Sequence, residues 1–147
     1  MIKKKNYLAN LCSEYGIDIL YAFGSRAKEV KSWIEEEIQS LPSSLSDIDI
    51  GIKPLAGKHL HVKEKVQLSI AVEEFLNVPR VDLVIVPEAD PFLAANVIRG
   101  ERLFCEDTYR ADEYELYIFI FKNFWLDLLY PFLLNLLWQL LFKYPVY

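Results

Sequence analysis

A chain of 147 residues with 53% hydrophobic and 25% charged side chains holds one compact domain with a real core and falls outside the disordered class. Its formal net charge of -5 gives it no general electrostatic attraction to a nucleic-acid backbone, so direct nucleic-acid binding is not expected without a local basic patch.

The elements follow in order. Residues 3–15 read as a helix, with Tyr7, Leu8, Leu11 and Tyr15 at three- and four-residue spacings and Gly16 as its stop. Lys3, Lys4 and Lys5 are its solvated first turn. The apolar run from Ile17 to Phe23, ending at Gly24, reads as a strand. A helix over residues 27–38 puts Val30, Ile34 and Ile38 on one face, and Leu41-Pro42-Ser43-Ser44-Leu45-Ser46 is a turn-rich loop. Asp47-Ile48-Asp49-Ile50-Gly51-Ile52 alternates with a period of two, as a strand with one buried face does. Residues 60–76 form another amphipathic helix, 81–86 a third strand closed by Pro87, 91–99 a short helix and 102–105 an edge strand. These elements define an α/β (α+β) domain over residues 1–113.

Beyond Glu115 only Lys122, Asp127 and Lys143 are charged, and residues 114–147 form an apolar helical tail. Within residues 116–142, Asn123, Asp127, Asn135 and Gln139 trace one polar stripe on a helix, and Pro131 breaks or restarts it. The longest uncharged run, 128–142, is shorter than the roughly 20 residues a bilayer requires. Membrane insertion is therefore disfavoured, and the tail is expected to fold back as one or two helices whose apolar surface is covered by the α/β domain, by a second copy of the chain or by a partner. Cys12 and Cys105 read as reduced thiols of a cytoplasmic protein, and the opening Met-Ile-Lys-Lys-Lys-Asn lacks the apolar core of a signal peptide. His59 and His61 have no further ligand at metal-binding spacing.

The chemistry lies in three carboxylates. Asp47 and Asp49, two apart on a strand, project from one face, and Asp82 on the next strand adds a third if the strands are neighbours. Adjacent carboxylates repel unless a cation sits between them. Mg²⁺ suits them, because it takes a few carboxylates and completes its shell with water and phosphate oxygens. Upstream, Gly24-Ser25 stands between a strand and a helix, where free backbone N–H groups and a hydroxyl make an anion site for the phosphates, and Arg26 adds a charge.

Taken together, Gly24-Ser25-Arg26-Ala27, Ser46-Asp47-Ile48-Asp49 and Val81-Asp82-Leu83-Val84, in this order, resemble the minimal nucleotidyltransferases (MNT) of the polymerase-β-like superfamily. The resemblance implies a small mixed sheet flanked by helices. It implies that Gly24, Ser25 and Arg26 bind the nucleotide, that Asp47 and Asp49 hold the metals, and that Asp82 ligates one metal and helps deprotonate the acceptor. The long segment from Lys28 to Ser46 departs from the compact members and, if not simply an extended helix, shapes the acceptor site. Many such proteins pair with a helical HEPN toxin, which implies transfer of AMP from ATP to a partner tyrosine by an antitoxin. Two other readings stay open: a non-catalytic module that neutralises its partner by contact, and a small-molecule, aminoglycoside-type nucleotidyltransferase.

Overall fold

Six helices and four strands alternate along the chain in a computed structural model that describes residues 2–143; the first residue and the last four of the expected tail lie outside the described residues. Helix α1 (Ile2–Tyr15) is followed by β1 (Ile17–Phe23), α2 (Ala27–Ile34), β2 (Ile48–Pro54), α3 (Val62–Leu76), β3 (Val81–Ile85), α4 (Pro91–Ile98), β4 (Glu101–Cys105), α5 (Thr108–Phe124) and α6 (Tyr130–Lys143). The sheet is mixed and ordered β3-β2-β1-β4, with β2 parallel to β3 and the other pairs antiparallel.

The central strand β1 is buried over all seven residues, which is why it reads as an apolar run interrupted only by Asp18. Its alternate side chains feed two cores. Leu20 and Ala22 join Ile48, Ile50 and Ile52 under α1, α2 and α3, whereas Ile19, Tyr21 and Phe23 join Val97 and Ile98 of α4 and Ala111 and Ile118 of α5. Asp18, 2% exposed within β1, is paired with Lys53 Nζ of β2, with Arg110 at 3.9 Å. Burial pushes the Cys12 thiol up to about 12, so it stays protonated, and Cys105 is also a free thiol.

The elements depart from the sequence expectation in four places. Helix α2 stops at Ile34 rather than Ile38, and Glu36 turns left-handed (φ 62). Glu35, Glu36 and Glu37 would place three carboxylates at a helix C-terminus, where the dipole disfavours negative charge. Helix α3 begins two residues later, with Glu64 Oε2 accepting the His61 N–H at 2.8 Å across the helix start. Strand β2 begins at Ile48, so Asp47 is the last residue of the preceding loop.

The fourth departure is the tail. Its first part packs on the domain through Ile118, but the rest does not fold back: α5 and α6 are joined by a π-helical turn, Trp125–Leu129, into one continuous run, and residues 130–142 are exposed. Pro131 sets the turn, since it donates no N–H and its ring crowds the carbonyl four residues back. Tyr130 N–H donates instead to the Trp125 carbonyl, five residues back. The run Thr108–Phe142 is long and apolar enough to cross a membrane by length and composition, with a most apolar stretch of mean hydropathy 1.4 that is 0% buried. Counting only uncharged residues understated that length.

Candidate active site

Parallel pairing of β2 with β3 decides the position of the carboxylates. Asp49 stands directly opposite Asp82 in the register, with Ile48 opposite Val81 and Ile50 opposite Leu83. The strand period then puts Asp49 and Asp82 on the same face of the sheet, opposite the face where Ile48, Ile50 and Ile52 are buried. Asp47, two residues before Asp49, adds the third. The strain of this arrangement is visible in Asp49, whose carboxyl is held above the usual range by partial burial and then by the charges of Asp82 and Asp47.

The turn after β1 meets the same point. Gly24 takes φ 74, and a Cβ there would run into the Asp49 carboxylate. Glycine is therefore required twice, by its backbone conformation and by the close approach of Asp49. Gly24 and Ser25 are exposed, and α2 begins immediately after them with no side chain capping its N-terminus. Ala27 N–H turns back to the Gly24 carbonyl at 3.4 Å, no side chain takes up the N–H groups that follow, and the helix dipole at this end favours an anion.

Arg26 departs from its expected place on the phosphates. It is 6% exposed and points into the preceding loop: NH2 donates to the Pro42 carbonyl at 2.7 Å, NH1 to the Ser46 carbonyl at 3.2 Å and Nε to Glu29 at 3.1 Å. It clamps the loop that delivers Asp47. The long segment between α2 and β2 is thus fastened to the site from behind.

Two features were not foreseen. A cleft of about 310 Å³ opens beside Gly24 and Ser25 and is lined also by Lys28, Asn96 and Arg99, which adds two cations near the uncapped helix start. Lys28 is visible as the first-turn lysine of α2, but Arg99 comes from the end of α4 and carries no sequence signal. The other is Arg80, whose guanidinium pairs with both Asp47 and Asp82.

The donor set fits a hard divalent cation. It offers carboxylate oxygens from two adjacent strands, and it already draws a positive charge. Among the described residues, no three His, Cys, Asp or Glu side chains are gathered closely enough to hold an ion by themselves.

Residues 6–109 match the family model described as polymerase beta, nucleotidyltransferase. No curated protein matches the chain in sequence. Among solved structures the fold is similar to a chain of a toxin–antitoxin complex with AMP-PNP, at 17% identity over 84% of this chain and 90% of that one, with a TM-score of 0.61. It is similar also to a chain of the tri-AMPylated Shewanella oneidensis HEPN toxin in complex with MNT antitoxin (16% identity, 85% and 89% covered, TM-score 0.57). A chain of the MntA–HepT toxin–antitoxin is alike as well (16% identity, 86% and 92% covered, TM-score 0.56). At these identities the likeness is one of fold.

Proposed function

Because the chain belongs to the polymerase-beta nucleotidyltransferase family, we propose that it transfers AMP from ATP to a tyrosine hydroxyl of a HEPN-type partner protein and so acts as that partner's antitoxin. The observation that carries the reading is the placing of Asp49 opposite Asp82, with the Gly24-Ser25 turn against the Asp49 carboxylate. A scaffold that worked by contact alone has no use for either. The partner class rests on the fold shared with a chain of an AMPylated HEPN toxin in complex with MNT antitoxin, and the nucleotide on the fold shared with a chain of a toxin–antitoxin with AMP-PNP.

In this reading Asp47, Asp49 and Asp82 hold Mg²⁺, which neutralises triphosphate charge and makes the acceptor hydroxyl more acidic when bound. The N–H groups at the start of α2 and the Ser25 hydroxyl hold the β- and γ-phosphates, with Lys28 and Arg99 adding positive charge beside them. Asp82 takes the proton of the acceptor hydroxyl as its oxygen bonds to the α-phosphorus, the α–β anhydride bond breaks and pyrophosphate leaves. Arg26 acts through Asp47, by fixing the loop that carries it.

The reaction belongs in the cytoplasm, where ATP and a newly made toxin meet. The exposed tail helix is then covered by protein, either the partner or a second copy of the chain, and its stripe of Asn123, Asp127, Asn135 and Gln139 favours protein over lipid. Co-expression with a HEPN-type protein, followed by intact-mass and peptide-mass measurement of that protein, tests the function. The expected result is added AMP on a tyrosine, lost in Asp82→Asn. Neutralisation of the partner with no change in its mass would replace catalysis by contact.

A further inference from the structure

Arg80 lies two residues before Asp82, in the short connection from α3 to β3. That connection is fastened at both ends: Asn77 closes α3 in the left-handed conformation (φ 52), and Val81 N–H donates to Glu73 Oε1 at 3.0 Å. From it the guanidinium reaches over the end of two strands. NH2 donates to Asp82 Oδ1 at 3.0 Å, and Nε lies 3.5 Å from Asp47 Oδ2. One cation thus spans two carboxylates, one from the loop that leads into β2 and one from β3, at the point where their repulsion would otherwise be uncompensated.

The side chain is also easily displaced. Arg80 is 66% exposed, and exposed ion pairs hold weakly. A buried, fully bonded arginine such as Arg26 could not leave its partners cheaply; Arg80 can swing into solvent, or towards a new anion, by rotation of its own stem.

We propose that Arg80 is the resident counter-ion of the carboxylate site: it holds Asp47 and Asp82 in the nucleotide-free protein and surrenders both when a metal-bound nucleotide arrives. The proposal rests on the reading of Asp47, Asp49 and Asp82 as metal carboxylates. Its consequence is a coupling between metal and nucleotide. A bare divalent ion must displace the guanidinium and returns it nothing, whereas a metal arriving with a triphosphate brings phosphate oxygens to which the freed guanidinium can turn. The empty protein therefore discriminates against free metal and in favour of the loaded nucleotide.

The test is Mn²⁺ binding without nucleotide, measured by electron paramagnetic resonance on the full chain, its Arg80→Met and Arg80→Lys variants and a charge control, Lys63→Met, at an exposed position on α3. Arg80→Met is expected to bind Mn²⁺ about fivefold more tightly than the parent, the scale of two exposed ion pairs lost together. Arg80→Lys should fall between the two, since it keeps the charge and loses the fork. Lys63→Met should stay within about twofold of the parent, because a distant exposed charge is screened. The metal-free Arg80→Met protein should also melt lower than the parent and gain more from added Mn²⁺. Equal or weaker Mn²⁺ binding by Arg80→Met overturns the counter-ion role and leaves the carboxylate site standing. A gain matched by Lys63→Met overturns it too, by reducing the effect to net charge. No Mn²⁺ binding in any of the four proteins overturns the counter-ion role and leaves the site reading to the Mg-ATP titration.

Discussion

Residues 17–23 and 132–142 are both nearly unbroken apolar runs, yet every residue of the first is buried and every residue of the second is exposed. Composition does not separate them. Strand β1 has a strand on each side and a layer of helices on each face, so its apolar atoms find partners within the chain. Among the described residues, helix α6 meets the π-helical turn that leads into it and is otherwise exposed. The contrast shows that a hydrophobic segment records a need for burial without recording who supplies it, and here the domain supplies itself while the tail depends on something outside.

If the domain is complete in itself, its chemistry depends on its carboxylates and not on the tail. Asp82→Asn is expected to lower AMP transfer by about a hundredfold or more, as loss of a proton acceptor does, with a smaller effect on ATP affinity. Removal of residues 122–147 should leave Mg-ATP affinity within about twofold in the same titration. A truncated chain that no longer binds nucleotide would break the division between the two regions.

The boundary can be located inside α5. Ile118 is 8% exposed and closes the second core, whereas Leu134 is 50% exposed. Ile118→Asp should cost about 3 kcal/mol or more in denaturant unfolding, because it buries a charge with no partner. Leu134→Asp should fall within about 0.5 kcal/mol of the parent while reducing any self-association seen by light scattering. Equal destabilisation by both would mean that the tail is part of the domain's own core.

Most of the domain was legible because local signals agreed with burial. Alternation in residues 47–52, the apolar run of β1 and the order of Gly24-Ser25, Asp47, Asp49 and Asp82 each point to a position that the sheet then confirms. What escaped depends on contacts distant in sequence. Arg26 resembles a first-turn phosphate ligand until the loop at Pro42 and Ser46 returns to accept its N–H groups. Arg80 and Arg99 carry no motif and matter only because β3 and α4 bring them beside the site. The end of α2 was missed for a local reason, since apolar spacing to Ile38 outweighed three consecutive glutamates. The tail runs on as one helix because a wider turn absorbs Pro131, which reads in sequence as a break or restart.

Within the domain, phosphate binding is the smaller term. Ser25→Ala should weaken triphosphate binding by about 1–2 kcal/mol in calorimetry, the scale of one hydrogen bond to a charged group, with the turnover of bound ATP little changed. A large fall in turnover with unchanged affinity would move Ser25 from holding the phosphates to the reaction itself.

The smallest expected effect is in the metal-free protein's response to pH. The Asp49 carboxyl is raised in the folded state, by burial first and then by Asp82 and Asp47, so folding favours its protonated form. Its contribution is therefore present at low pH and is lost as pH rises through the raised folded value. Asp49→Asn should melt slightly higher than the parent at neutral pH without metal, and the difference should shrink on acidification.

The most direct measurement is calorimetric titration of Mg-ATP into the parent and into the Asp47→Asn, Asp49→Asn double variant. The three-carboxylate account predicts Mg²⁺-dependent binding by the parent and none by the double variant, whose fold is retained because carboxylate repulsion is relieved. Equal Mg-ATP binding by the two proteins would contradict the assignment of the site.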